Sequence, residues 1–248
     1  MPPTHENDTT KLIRSNLENV RQAVRLACDK AGRDADTVTI LPISKKQPLE
    51  VISAALALDL STFGENYVEE AAKKQENLLA LGEIAARWEM VGHLQSRKAG
   101  VAAALFSRVH SVDSVKIARL LNSKRPAGMA PLEVLLQVNL SGEESKSGIS
   151  AIGQASWPEL LPLIEEISTM ENLILTGLMA MPPFPEHPED NRGFYAELRA
   201  LLGFLNSQLP GLNLSHLSMG TSGDYVTAIE EGATIVRLGE SIFGPRPT

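Results

Sequence analysis

The chain has 248 residues, 43% hydrophobic and 21% charged, with a net charge of −7, a globular balance that excludes disorder of the whole and argues against a dedicated nucleic-acid binder. Its single cysteine, Cys28, excludes an intrachain disulfide and fits a reducing compartment. No apolar run approaches the roughly 18 residues of a membrane span, and residues 1–6 lack the positive and apolar regions of a signal peptide, so a cytoplasmic protein with no membrane partner is expected.

Leu12, Ile13, Leu17, Val20, Val24 and Ala27 recur at three- and four-residue spacing, which predicts a leading helix capped by Asp8 or Thr9 and ended at Gly32. From there the chain alternates. Residues 38–44 (VTILPIS), rich in β-branched side chains, read as a buried strand, and 48–58 as a helix with proline in its first turn. Strand 61–64 precedes helix 67–81, where Glu69/Lys73 and Glu70/Lys74 stand at i,i+4. Strand 88–92 leads to helix 96–106, strand 108–112 to helix 114–123, and strand 132–140 to helix 158–170. Strand 173–181 leads to helix 190–208, strand 214–219 to helix 224–231, and strand 234–238 to a short tail. The stretches 141–150 and 182–185 read as βα-loops, the first solvated, with a mobile lid as its alternative.

Hydrophobic strands without clean alternation point to a parallel sheet buried on both faces. Eight strand-then-helix units in about 210 residues predict an α/β protein with one domain, a (β/α)8 TIM barrel over residues 38–244 preceded by an extra N-terminal helix within 1–36.

In such a barrel the chemistry sits at the C-terminal ends of the strands. Two strand ends stand out. Ser218-Met219-Gly220-Thr221-Ser222-Gly223 has two glycines and three hydroxyls just before a helix, so its N–H groups and Ser222 can cradle an anion. Ser222 as a plain helix cap for 224–231 is the alternative. Lys45 ends an apolar strand, where partial desolvation favours Schiff-base chemistry, although by pattern alone a lysine reaching out to solvent is the preferred reading. Of Lys45 and Lys46, at most one faces the barrel axis. An amine and an anion cup at one mouth suit a ligand with an aldehyde and a phosphate, either pyridoxal phosphate or a phosphosugar. The five histidines show no metal spacing; His93 alone stands at a site-facing strand end, and His110 and His216 read as packed strand residues. Cys28 reads as a small core residue. No nucleophile elbow, P-loop or dinucleotide fingerprint occurs.

Colinear segments then become recognisable: Ile43-Ser44-Lys45, Phe63-Gly64-Glu65-Asn66-Tyr67, Gly92-His93-Leu94-Gln95-Ser96, Gly177-Leu178-Met179-Ala180-Met181, Leu217-Ser218-Met219-Gly220-Thr221-Ser222 and Val236-Arg237-Leu238-Gly239. Together they resemble the pyridoxal phosphate homeostasis protein family, whose fold is like the N-terminal barrel of alanine racemase. The resemblance implies pyridoxal 5′-phosphate as cofactor, held as a covalent aldimine on Lys45. It implies that Ser222 and the N–H groups near Gly239 and Glu240 hold the phosphate, that Arg237 faces the pyridine nitrogen and that Asn66 lines the pocket. No catalytic residue and no metal are assigned.

Four positions depart from the family pattern. Glu89 stands where histidine is common, Arg97 for asparagine, Thr221 for methionine, and Glu240 for a small hydroxyl residue. A glutamate aimed at a phosphate would repel it, so Glu240 is expected to offer its backbone and point outward.

Arginine donates to a ring nitrogen and does not protonate it, which makes the pyridine a poor electron sink. A racemase with that arginine depends on a tyrosine from a second domain, for which a chain ending at Thr248 is expected to have no room. The expectation is a monomeric carrier that binds, stores and delivers the cofactor to apoenzymes requiring it, with little or no turnover. An amino-acid racemase is the alternative.

Overall fold

The computed structural model describes residues 7–82, 86–143 and 146–245. The strands are β1 (Thr39–Pro42), β2 (Thr62–Glu65), β3 (Arg87–Met90), β4 (Arg108–Val112), β5 (Leu132–Asn139), β6 (Ile149–Ser150), β7 (Leu173–Ala180), β8 (His216–Thr221) and β9 (Ile235–Leu238). Every pairing is parallel, in the order β1-β9-β8-β7-β5-β4-β3-β2, with the two-residue β6 added beside β5. A bridge between Ile43 and Gly64, with the Ser44 N–H donating to the Gly64 carbonyl at 3.0 Å, joins the two ends of the order and closes the barrel. The eight predicted strands are therefore all present, and the barrel fold is the expected one.

The helices are α1 (Asp8–Lys30), α2 (Leu49–Leu56), α3 (Val68–Ala80), α4 (Ala99–Leu105), α5 (Val115–Lys124), α6 (Leu161–Ser168), α7 (Arg192–Gln208), α8 (Tyr225–Glu230) and α9 (Glu240–Phe243). α1 buries Ile13, Leu17, Val20, Val24 and Ala27 of the predicted stripe, while Leu12, one position off that face, is exposed. Its cap differs from expectation: Asn7, not Asp8 or Thr9, accepts the Thr10 N–H, because Asp8 and Thr9 already lie inside the first turn. The helix ends at Lys30, and Gly32 follows with φ +66°, the conformation a helix exit favours. α1 packs on α2, α8 and α9, and Arg33 donates to the carbonyls of Ile229 (2.6 Å) and Ala233 (2.9 Å).

Helices 96–106, 158–170 and 190–208 begin later than predicted. Each is entered through a 3-10 turn, Ser96–Lys98, Gln154–Leu160 and Pro188–Asn191, in the last two of which proline removes a backbone donor. In the 141–150 loop, the site of the lid alternative, Ile149–Ser150 pair with β5, while Glu144 and Ser145 lie outside the described residues.

Two packing layers result. Most buried apolar residues lie between strands and helices, and a smaller inward cluster of Leu41, Val91, Leu135, Met179 and Ile235 fills the barrel interior. Above this plug, β8 shifts register between Ser218 and Thr221 at Gly220, which has φ +88°. A Cβ there would stand 2.6 Å from the Ala228 Cβ and 3.0 Å from the Tyr225 Cα. Gly220→Ala thus combines a left-handed backbone with an overlap and is expected to cost about 2–3 kcal/mol. The urea-unfolding midpoint at constant m-value measures this; a loss below about 0.5 kcal/mol would show that the bend relaxes freely.

Candidate functional site at the barrel mouth

A cavity of about 480 Å³ opens where β8, β9, β1 and β2 end. Lys45, Asn66, Ser222, Arg237, Gly239 and Glu240, all six residues singled out in the sequence, line it. Ile43, Val91, Met181 and Phe184 add apolar wall. A groove of about 540 Å³ on the outer face of α3, lined by Glu69, Lys73 and Lys98, contains none of the six.

Strand order explains the convergence. β9 lies between β8 and β1, and Arg237 is in register with Thr221 on one side and Leu41 on the other. Ser222, one residue past Thr221, and Lys45, four past Leu41, therefore reach the same cavity as Arg237 from the strand ends on either side of it. Asn66 follows β2, the strand that closes on β1. Its backbone lies so close to Gly92 that a Cβ on Gly92 would meet the Asn66 carbonyl oxygen at 2.3 Å.

The turn after β1 separates the two lysines. Lys45 is half-buried at the cavity, whereas Lys46 takes φ +60° and is exposed. The turn is braced from below. Lys74 donates to the Ser44 carbonyl (2.6 Å), Glu65 (2.6 Å) and Glu70 (2.8 Å), and Glu70 accepts the Lys46 N–H (2.6 Å). Ser44 also donates to Glu65 at 2.7 Å. The predicted Glu70/Lys74 pair exists, but in a buried cluster rather than as simple helix support, and Glu69 pairs with Lys98 instead. Burial drives the Glu65 carboxyl upward, against the pull of Lys74 and Ser44.

Arg237 is 3% exposed. Its Nη1 donates to Ser218 (2.8 Å) and its Nη2 to the Ala180 carbonyl (3.0 Å), while Nε has no partner among the described residues. Burial lowers its pKa, opposed by Tyr195 and Asp224.

The loop after β8 is shaped by Asp224, which accepts the Thr221 N–H (2.7 Å), the Asn191 amide (2.8 Å) and the Tyr195 hydroxyl (2.5 Å). Burial, with the Asp224 charge, pushes the Tyr195 phenol far above its ordinary range. Ser222 does not cap α8, contrary to the alternative reading. The residue at the cap position is Asp224, and the Ser222 hydroxyl instead accepts the Ser241 N–H (3.2 Å), tying the β8 and β9 loops together. Glu240 is exposed.

His93 does not line this cavity; its ring is largely exposed and pairs with Asp113 at 3.1 Å. His110 is fully buried and hydrogen-bonded to Ser218 and to the buried Glu89, which the sequence marked only as a departure from pattern. Nothing in the local sequence pairs these two; their contact comes from neighbouring strands, β3 and β4.

Such a barrel, with lysine after its first strand and arginine in its last, defines the class of α/β barrels represented by the alanine racemase N-terminal domain, and that family matches residues 15–247. The pyridoxal phosphate homeostasis protein of Pseudomonas aeruginosa is 45% identical over 94% of this chain and 96% of its own. The protein of that name from Escherichia coli K12 is 37% identical over 94% and 97%. PipY of Synechococcus elongatus, solved with PLP bound, is 30% identical with a TM-score of 0.79, covering 94% of this chain and all of that one. The chain belongs to the pyridoxal phosphate homeostasis protein family.

The buried polar groups set a pH dependence. Burial lowers the His110 pKa, against the pull of Glu89, and likewise lowers that of His216. The unfolded chain therefore takes up protons near pH 6.5 that the native state refuses, so stability falls as pH drops through about 6.5. Burial raises the Glu89 carboxyl, but the His110 hydrogen bond and the Arg108 charge outweigh it and the net shift is down. Its contribution is lost only below the ordinary carboxylate range. His110→Gln is expected to flatten the decline between about pH 7 and 5, leaving the share of His216. Urea midpoints across that range measure it, and an unchanged slope would mean that His110 titrates alike in both states.

Proposed function

We propose that this protein binds pyridoxal 5′-phosphate in the mouth cavity and serves its intracellular homeostasis, holding the cofactor and handing it to apoenzymes that require it. The observation that carries this reading is the convergence of Lys45, Arg237 and Ser222 on one cavity at three adjacent strand ends. The names of the relatives and the PLP-bound PipY structure support it.

The residues present fit the group. The unpartnered Nε of Arg237 is a donor awaiting an acceptor such as a pyridine nitrogen. The Lys45 amine takes the aldehyde carbon, with loss of water, and PLP supplies that electrophilic carbon when bound. Because Ser222 Oγ accepts from Ser241, its own hydrogen is free to turn toward a phosphate oxygen, beside the N–H groups of Gly239 and Glu240. Glu240, being exposed, keeps its charge in water. Arg237 donates without giving up a proton, so it holds the ring and does not convert it into a strong electron sink.

The tyrosines favour storage over racemisation. Tyr195 is committed to Asp224, Tyr67 is 56% exposed, and neither they nor Tyr225 line the cavity. None is placed as the second base that racemisation requires.

Adding PLP to the purified protein is expected to give a visible band that borohydride fixes as a covalent adduct on Lys45. Lys45→Ala is expected to lose the adduct, and Ser222→Ala to weaken PLP binding about tenfold. Incubation with single-enantiomer alanine, followed by chiral analysis, is expected to show no racemisation. Robust turnover that disappears in Lys45→Ala would decide for the enzyme, and an adduct persisting in that variant would move the linkage to another lysine.

A further inference from the structure

Behind the cavity a chain of buried side chains crosses the barrel interior. Arg237 Nη1 lies 2.8 Å from Ser218 Oγ, Ser218 Oγ 2.8 Å from His110 Nδ1, and His110 Nε2 2.8 Å from Glu89 Oε2. Arg108 Nη1 reaches Glu89 Oε1 at 3.2 Å, and its Nε and Nη2 hold Glu133 at 2.9 and 2.5 Å. Ser218 and His110 are fully buried, and Glu89 is 6% exposed. None of Ser218, His110 or Glu89 lines the cavity.

Satisfying every buried polar atom selects one direction for the hydrogens of the chain. Arginine can only donate, so the Ser218 oxygen accepts from Arg237 and its own hydrogen must go elsewhere. His110 Nδ1 is the partner in reach, so Nδ1 accepts and carries no proton. The ring then bears its single proton on Nε2 and donates it to Glu89, which Arg108 holds from the other side. A cationic His110 would leave the buried Ser218 hydrogen without an acceptor and add positive charge between Arg108 and Arg237.

We propose that Glu89, His110 and Ser218 are positioning residues that lock Nη1 of Arg237 to the barrel wall and leave Nε as the donor presented to the ligand's ring nitrogen. This inference rests on the reading of the cavity as a PLP site. Glu89 is the end that sets the direction of the relay. The groups facing the pair are Arg108 and Arg237 around His110, and Arg87 and Arg108 around Glu89, with His216 and Glu133 alongside.

Glu89→Gln makes a sharp test because it is isosteric and reverses the chain. Arg108 can only donate to position 89, so the glutamine must turn its oxygen to Arg108 and its amino group to His110. His110 Nε2 would then accept, and its proton would move to Nδ1, pointing at Ser218 and leaving the buried Ser218 hydrogen without its acceptor.

The first measurement needs no ligand. Nitrogen-15 NMR of histidine-labelled protein, with the His110 signal assigned by its loss in His110→Gln, is expected to show the Nε2–H tautomer between about pH 6 and 8 and the Nδ1–H tautomer in Glu89→Gln. A cationic ring or an Nδ1–H ring in the unaltered protein overturns the proposal, whatever the cavity binds. The second measurement compares PLP with its 1-deaza analogue, which has no ring nitrogen. Glu89→Gln and Ser218→Ala are expected to weaken PLP binding about tenfold and to change binding of the analogue by less than about twofold. Ser218→Ala alone carries this arm if the other variant does not fold. Equal losses for both probes, or none for PLP, overturn the relay while the PLP reading stands. An unaltered protein that binds neither probe overturns the PLP reading, and with it the ring-nitrogen target of Nε.

Discussion

A guanidinium enclosed in a barrel must have its hydrogens answered, and much of this structure follows from that demand at Arg237. Taking such a cation from water costs several kcal/mol unless acceptors meet it. The protein meets it with neutral acceptors, the Ser218 hydroxyl and the Ala180 carbonyl, and not with a carboxylate in direct contact. The charge is thus held in place without being neutralised locally. The compensating carboxylates stand one step away, Glu89 at the far end of the His110 relay and Asp224 beneath the loop after β8. A positive potential is thereby kept for whatever enters the cavity, the condition an anionic ligand needs.

The barrel converts this local arrangement into a site through strand order alone. β9 is the last strand in sequence and the first to pair with β1, so closure brings the two ends of the chain's sheet together at Arg237. The loops that follow β8, β9 and β1 are distant in sequence and adjacent in space. Ser222 accepting from Ser241 pins two of those loops to each other, and Asp224 keeps the first of them rigid through Tyr195 and Asn191. Hydrogen-bonded loops and strand ends hold the polar lining groups, while Phe184, 90% accessible, adds an exposed apolar side chain to the cavity wall.

The eight strands and the six mouth residues were legible in the sequence because both depend on short-range pattern. Apolar runs alternate with amphipathic ones, and strand ends carry unusual polar groups at Lys45, Ser222 and Arg237. The parts that were not legible depend on contacts between strands. Lys74 reads as one half of a helical i,i+4 pair, and only the fold shows it turned inward beneath Ser44. Glu89 reads only as a departure from the family pattern, and its contact appears only when β4 places His110 beside it. β6 and α9 were missed for a different reason: elements of two and four residues hold too few positions for any period to be seen.

The neighbourhood of Lys45 shows how the fold separates three nearby amines by what surrounds each. Lys46 is carried out to solvent by its left-handed turn. Lys74 is the most buried, yet its ammonium has three hydrogens and three acceptors within 2.8 Å, so its hydrogen-bonding capacity is spent on holding the Ser44 carbonyl and the carboxylates of Glu65 and Glu70. Lys45 precedes both in sequence and stands at the cavity wall in space. Burial alone would single out Lys74. Each of its three hydrogens, however, meets an acceptor of the β1 turn or of Glu65 and Glu70, and it does not line the cavity. The buried lysine thus acts as scaffold for the turn that presents Lys45, and the acidic residues around it, Glu65 and Glu70, are directed away from the mouth, where their charge would oppose an anionic ligand.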